Sequence, residues 1–176
     1  MILVFDTETT GLPCDPAARA IQLGYCLVDE TGHEIEANEV LLKTVSKVPL
    51  AATRIHAIST EQLHLEGVDP SVGLARFGEL VARATLIVAH NAEFDAELLG
   101  RDFEWPAGTK IFCTMQQSTS RCRLLPRIRG NFKWPKLTEL ADALGLEYEA
   151  ALLHSALADA RLTAKAFTTA RALGWW

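Results

Sequence analysis

The stretch Ile2-Leu3-Val4-Phe5-Asp6-Thr7-Glu8-Thr9-Thr10-Gly11-Leu12 decides the fold. Residues 2–6 form a short, almost wholly apolar run rich in branched side chains. That is the pattern of a central strand buried on both faces, and Thr9-Thr10-Gly11-Leu12-Pro13 reads as its end. A carboxylate at the edge of such a run is costly unless its charge is compensated. In a strand, residues two apart point to the same side, so Asp6 and Glu8 can converge on one cation. The C-terminal end of a strand is also where open α/β sheets place their ligands. Taken alone, Asp-x-Glu is equally the pattern of two solvated surface acids.

Moving outward, residues 21–28 and 34–42 read as strands joined by a turn at Glu30-Thr31-Gly32. Ser59 precedes a helix with Glu61 in its first turn, and Pro70 opens a second helix running to about Ala84. Residues 86–89 form a short buried strand leading into a helix from about Ala92 to Gly100, and residues 111–113 make another short strand. Lys136 to Leu144 reads as a helix stopped by Gly145, and Ser155 to Leu173 as a long helix stopped by Gly174. Residues 114–135 are long for a connection, which implies partial helix or a functional role. Strands first, then alternating strand and helix, define an α/β class with a mixed central sheet. At 176 residues, with no repeat or linker, the expectation is a single domain over 1–176.

Composition sets the function classes. The opening residues lack the basic segment of a leader, and no stretch approaches the ~20 apolar residues of a membrane span. Cys14, Cys26, Cys113 and Cys122 have no CxxC spacing, which argues for thiols in a reducing cytoplasm and against zinc or a disulfide framework. The net charge of −5 hides a segregation. Between Trp105 and Thr138 there is no acid but seven basic residues: Lys110, Arg121, Arg123, Arg127, Arg129, Lys133 and Lys136. The rest of the chain carries 10 basic against 22 acidic side chains. Phe132 and Trp134 lie among those basic residues, a mixture suited to phosphates and stacked bases, although a solvated loop balancing an acidic body has the same composition.

Three further residues stand out. Asp95 falls in the first turn of a helix that follows a buried strand, where the helix dipole favours its ionised form. Asp159 interrupts the apolar run Ala156-Leu157-Ala158-Asp159-Ala160. His154 lies five residues before it. Singly, these are also compatible with an ordinary first-turn acid, an exposed helix position and a cap. Together with Asp6 and Glu8, the four carboxylates carry a charge that two divalent cations would balance. Oxygen ligands without cysteine or clustered histidine point to Mg²⁺ or Mn²⁺.

In this order the segments Phe5-Asp6-Thr7-Glu8-Thr9-Thr10-Gly11-Leu12, His90-Asn91-Ala92-Glu93-Phe94-Asp95 and His154-Ser155-Ala156-Leu157-Ala158-Asp159-Ala160 resemble the three motifs of the DnaQ-like 3′–5′ exonucleases. That family includes polymerase proofreading subunits, ribonuclease T and oligoribonuclease. Histidine five residues before the last aspartate resembles the DEDDh branch, and the match spans residues 2–167. The resemblance implies a ribonuclease H-like fold with a five-stranded mixed sheet flanked by helices. It implies two metal ions, Mg²⁺ or Mn²⁺, held by Asp6, Glu8, Asp95 and Asp159, with His154 as general base towards the attacking water. It further implies contacts from Thr9, Thr10, Leu12, Asn91 and Phe94 to the terminal nucleotide of a single-stranded 3′ end, Leu12 as a wedge against its base. Arg54-Ile55-His56-Ala57-Ile58 resembles an intermediate His-Gly-Ile element, with alanine for glycine, and implies that His56 approaches the substrate. Ile111-Phe112-Cys113-Thr114-Met115, the basic tract and Lys136-Leu137 are most similar to exonuclease X-type enzymes, which favours DNA over RNA. An exoribonuclease trimming RNA 3′ ends, often as a homodimer, is the alternative, and a non-catalytic relative would have lost acids that are intact here. Glu61-Gln62-Leu63-His64-Leu65 faintly resembles a clamp-binding peptide, but helical core packing explains it better. Trp175-Trp176 is expected to dock on the domain's own surface rather than on a polymerase or a second subunit.

Overall fold

The computed structural model describes residues 1–125 and 131–176. The basic residues Arg127 and Arg129 lie outside the described residues. Three antiparallel strands come first, β1 (Ile2–Thr9), β2 (Ala20–Val28) and β3 (Glu34–Leu41). Two short strands, β4 (Leu86–Ala89) and β5 (Ile111–Cys113), add in parallel to the other edge of β1, giving the order β3-β2-β1-β4-β5. The mixed sheet anticipated from the sequence is present. β1 runs three residues further than its apolar core, to a bulge between Glu8 and Thr9, so both acids belong to the strand.

Side-chain alternation gives β1 two apolar faces. Leu3 and Phe5 join one core cluster with Leu23, Tyr25, Phe77, Leu80 and Leu99, the last three supplied by α4 (Ala75–Arg83) and α5 (Ala92–Leu99). Aromatic rings close it: Phe77 lies 5.5 Å from Phe5 and 5.4 Å from Phe103 between ring centroids. Ile2 and Val4 join the other cluster, with Cys26, Val28, Val88, Ala164 and Phe167. Ala164 and Phe167 belong to the long helix α8 (Ala156–Ala172), which covers this face. Trp176 packs on the same cluster, 5.2 Å from Phe112 and 5.9 Å from Phe167, the self-docking expected of the terminal tryptophans.

Elsewhere, α1 (Leu50–His56) was not anticipated, because Pro49 precedes it without a capping side chain and its first turn has no acid. α2 (Thr60–Glu66) begins as expected, with the Ser59 hydroxyl accepting from the Gln62 N–H at 3.0 Å. Leu63 of α2 is 3% exposed and Leu65 is 78% exposed, so the segment packs through one leucine. The helix expected from Pro70 is broken into α3 (Pro70–Gly73) and α4. The break falls where Gly73 meets Leu42 and Val68, whose methyl groups would lie 2.7 and 2.9 Å from a Cβ at that position. The long connection after β5 is partly helical, as α6 (Thr114–Cys122), and is followed by α7 (Leu137–Ala143). Among the described residues no helix is long and apolar enough to cross a membrane.

Candidate active site

Asp6 and Glu8 project from β1 towards α8, and antiparallel β2 sets Gly24 opposite Asp6 and Gln22 opposite Glu8. A glycine inside a buried strand often marks a close backbone approach. Here a Cβ at Gly24 would stand 2.1 Å from the Leu157 nitrogen and 2.2 Å from the Ala156 carbonyl carbon. The start of α8 therefore rests directly on the sheet. Gln22 Oε1 accepts from the Ala156 N–H at 3.1 Å. Glu39 Oε1 of β3 accepts from the Leu157 N–H at 2.9 Å and from the Ser155 hydroxyl at 2.7 Å. Two side chains of the sheet thus satisfy N–H groups that a helix leaves free in its first turn, one of them a carboxylate at the positive end of the helix dipole. This cradle presses Asp159 and His154 onto the end of β1.

Asp95 arrives from the other side, in the first turn of α5, and is 3% exposed. Its Oδ1 accepts from the Thr7 N–H at 3.0 Å and the Thr7 hydroxyl at 2.6 Å. His154 sits in the left-handed region with φ +67°. Its backbone N–H donates to Asp159 Oδ2 at 3.3 Å, while Asp159 Oδ1 is buried with no hydrogen-bond partner. One ligating atom each from Glu8, His154 and Asp159 lies within 4.8 Å of the others. Asp6 and Asp95 join this group electrostatically.

Burial pushes the Asp6 carboxyl well above its usual range, and repulsion by Asp95, Asp159 and Glu8 adds to it. Glu8 is pushed up to about 8 by burial and then by Asp159 and Asp95. Burial raises Asp95 to about 7 despite the opposing Thr7 hydrogen bonds, and burial raises Asp159 against the pull of the His154 N–H. None of the four enters a salt bridge among the described residues. Four mutually repelling carboxylates, an orphaned carboxylate oxygen and an adjacent imidazole are a donor set that fits divalent cations.

The expected substrate contacts line the same end of the sheet. Leu12 is 64% exposed and so is not packed in the core, and Phe94 is half-buried. The Thr9 hydroxyl donates to the Gly11 carbonyl at 2.9 Å, and the Thr10 hydroxyl accepts from the Arg19 N–H at 2.9 Å, so both already shape the loop after β1. Arg101 holds that loop by donating to the carbonyls of Pro13, Asp15 and Ala18 at 2.6–2.7 Å. His56 is buried at the end of α1, with Nδ1 accepting from the Ile58 N–H at 3.1 Å and Nε2 without a partner. Burial lowers its pKa, against the opposing pull of the Thr9 and His56 backbone. Ala57 takes φ +61°, the conformation that explains glycine in the related element. Asn91 likewise has φ +66° before α5.

Gln22, Gly24, Glu39 and Arg101 were not singled out from the sequence. Only Gly24 carried a signal there, as a glycine inside a buried strand. His90 is another such residue. Its Nε2–H donates to the Pro135 carbonyl at 3.1 Å, which leaves Nδ1 to accept from the Thr114 hydroxyl at 2.9 Å. Burial pushes its pKa down to about 4, so the ring is a neutral strut between β4, α6 and the segment before α7.

A mixed sheet in this strand order, with a helix pressed across one face and clustered acids at one end, is a ribonuclease H-like architecture. The profile of the RNase T exonuclease family matches residues 3–167, and the chain belongs to that family, as a DnaQ-like 3′–5′ exonuclease. It is 31% identical over 175 residues to a DNA polymerase III subunit epsilon of Treponema pallidum, covering 94% of this chain and 74% of that one. It is 28% identical to a DNA polymerase III subunit epsilon-like protein of Rhodobacter capsulatus, but spans only 23% of that relative's length. Among solved structures, exonuclease X in complex with 5′ overhanging duplex DNA superposes with a TM-score of 0.74 at 24% identity, covering 100% of this chain and 95% of that one. Exonuclease I of E. coli in complex with a dT13 oligonucleotide gives 0.76 at 20% identity, covering 97% and 40%.

Proposed function

We propose that the protein is a DNA 3′–5′ exonuclease that removes nucleoside 5′-monophosphates from single-stranded 3′ ends. The observation that carries this reading is the cluster of Asp6, Glu8, Asp95 and Asp159, whose pKa values are all raised and none of which enters a salt bridge among the described residues. These four residues would hold two divalent cations, Mg²⁺ or Mn²⁺, which when bound balance the carboxylates and supply Lewis acidity to water and phosphate.

The chain's own residues do the rest. His154 accepts the proton of the attacking water as its oxygen bonds to phosphorus, and the bond from phosphorus to the 3′ oxygen breaks, that oxygen taking a proton from solvent. The shortened strand keeps a 3′ hydroxyl and the released nucleotide keeps the phosphate. Leu12 packs against the terminal base, and Phe94 walls the cleft beside it. His56, neutral and with a free Nε2, donates to or accepts from the terminal nucleotide, while Thr9, Thr10 and Asn91 hold the surrounding backbone. Relatives named as DNA polymerase III subunits, and related folds solved with DNA, favour DNA and association with a polymerase.

The test gives the purified protein matched single-stranded DNA and RNA labelled at the 5′ end, with Mg²⁺, Mn²⁺ or EDTA. A metal-dependent ladder shortening from the 3′ end, faster on DNA, is expected. Faster RNA shortening would make the protein an exoribonuclease. No shortening by folded protein would remove the catalytic reading.

A further inference from the structure

The segment Asn131–Lys136 presents chemistry that the cleft does not use. Phe132 is 42% exposed and Trp134 is 60% exposed, large apolar surfaces that a chain normally buries unless a partner covers them. Lys133 between them turns away to pair with Glu139, whose other oxygen accepts from the Lys136 N–H at 2.7 Å. That pairing neutralises the nearest acid. Arg123 and Lys136 are exposed and enter no ion pair among the described residues. The Lys133 N–H donates to the Leu124 carbonyl at 2.9 Å, which brings Arg123 alongside the aromatic pair. Phe132 and Asn131 also wall an open groove of about 410 Å³ against Gln116 and Ser120 of α6, whose amide and hydroxyl groups suit base edges.

Its location relative to the acids follows from the sheet register. β1 and β4 are parallel, with Val4 level with Val88, so His90 lies level with Asp6. His90 holds the Pro135 carbonyl, and the segment is therefore fixed at the same end of the sheet as the carboxylates, on the β5 side. α8 and the Gln22–Glu39 cradle occupy the β2 side.

We propose that Phe132 and Trp134, flanked by Arg123 and Lys136, form a stacking platform for single-stranded nucleic acid upstream of the terminal nucleotide, fixed to the cleft by the His90–Pro135 hydrogen bond. It rests on the exonuclease reading above and adds a second contact that recognises length, not the 3′ end. Exposed rings accept any base on their faces, and two unpaired cations beside them attract phosphates without sequence preference. A strand too short to reach the platform gains nothing from it.

The test compares wild type with Trp134→Ala and Phe132→Ala on a dinucleotide and on a single strand of about 16 nucleotides. For the long strand KM is expected to rise about tenfold per ring removed, from the usual worth of one base–aromatic stack. For the dinucleotide neither kcat nor KM moves. In EDTA, where no hydrolysis occurs, oligo(dT) is expected to quench tryptophan emission, and Trp134→Phe to remove most of that quenching. An unchanged KM on the long strand, or an equal loss on both substrates, overturns the platform. So does a shift from dimer to monomer in Trp134→Ala, seen by sedimentation, with long-strand KM unaffected, since the rings would then cover a second copy of the chain. If wild type hydrolyses nothing, the exonuclease reading fails, and the quenching experiment still decides whether the platform binds a strand.

Discussion

Replacing Gly24 by alanine adds one methyl group and is expected to disable the nuclease without unfolding it. The added Cβ would stand 2.2 Å from the Ala156 carbonyl carbon and 2.1 Å from the Leu157 nitrogen. Carbon atoms prefer ~3.5 Å or more, so backbone must separate by roughly 1 Å. Neither neighbour is a flexible side-chain end. The start of α8 is tied to Gln22 and Glu39, and it carries His154 two residues before Ala156 and Asp159 two residues after Leu157. Any displacement therefore moves both groups relative to Asp6 and Glu8. A misplacement of about 1 Å costs on the order of 10²-fold in rate. Overpacking of this kind costs about 1–3 kcal/mol, or roughly 2–4 °C in Tm per kcal/mol for a chain of this size. Single-turnover cleavage of a 5′-labelled DNA strand and thermal unfolding by circular dichroism measure the two effects. Wild-type cleavage by Gly24→Ala, whatever its Tm, would refute the idea that the seat of α8 on the sheet sets the catalytic geometry.

The acid cluster makes stability depend on pH in the unusual direction. Burial pushes Glu8 up to about 8 and Asp95 up to about 7 in the folded protein, above the ordinary carboxylate range. Their contribution is complete below the ordinary carboxylate range and is lost as pH rises through the folded values. Metal-free protein should lose Tm between about pH 4 and about pH 8, and Mg²⁺ should restore it; a Tm that rises over this range contradicts the electrostatic picture. Asp6→Asn should abolish cleavage yet stabilise metal-free protein near pH 8 by at least about 1 kcal/mol, read from denaturant midpoints. Ala57→Gly relieves a left-handed alanine worth about 1–2 kcal/mol and loses about 0.4–1 kcal/mol to the freer unfolded chain, so a net gain between zero and about 1.6 kcal/mol is expected. Arg101→Lys keeps the charge but not the fork that spans three carbonyls, and should cost about 2 kcal/mol while raising KM more than it lowers kcat. Equal effects on both constants would show that the loop bearing Leu12 is not what Arg101 positions.

The parts legible in the sequence were those with local signals. The apolar run at 2–5 reports a doubly buried strand whatever follows it, Asp6 and Asp159 each interrupt an apolar run, and Asp95 stands in the first turn after a buried strand. Helix starts at Ser59 and stops at Gly145 and Gly174 were legible through capping chemistry. α1 was not, since Pro49 offers the helix no side-chain oxygen. The break at Leu74 was hidden because it falls where Gly73 meets Leu42, which lies some thirty residues earlier in sequence. The cradle of Gln22 and Glu39 was hidden for the same reason. A glutamate on an edge strand looks like any exposed acid until the start of α8 is set against it.

The seat of α8 also has a consequence for biosynthesis. Asp6 lies on the first strand of the sheet, and His154 and Asp159 are translated only after all five strands. Pairing of such distant segments is slow to form and waits on the appearance of α8. Until α8 has emerged and docked over Gly24, the acids on β1 have neither their fourth carboxylate nor their imidazole. Docking of α8 over Gly24 is therefore the step that completes the cluster.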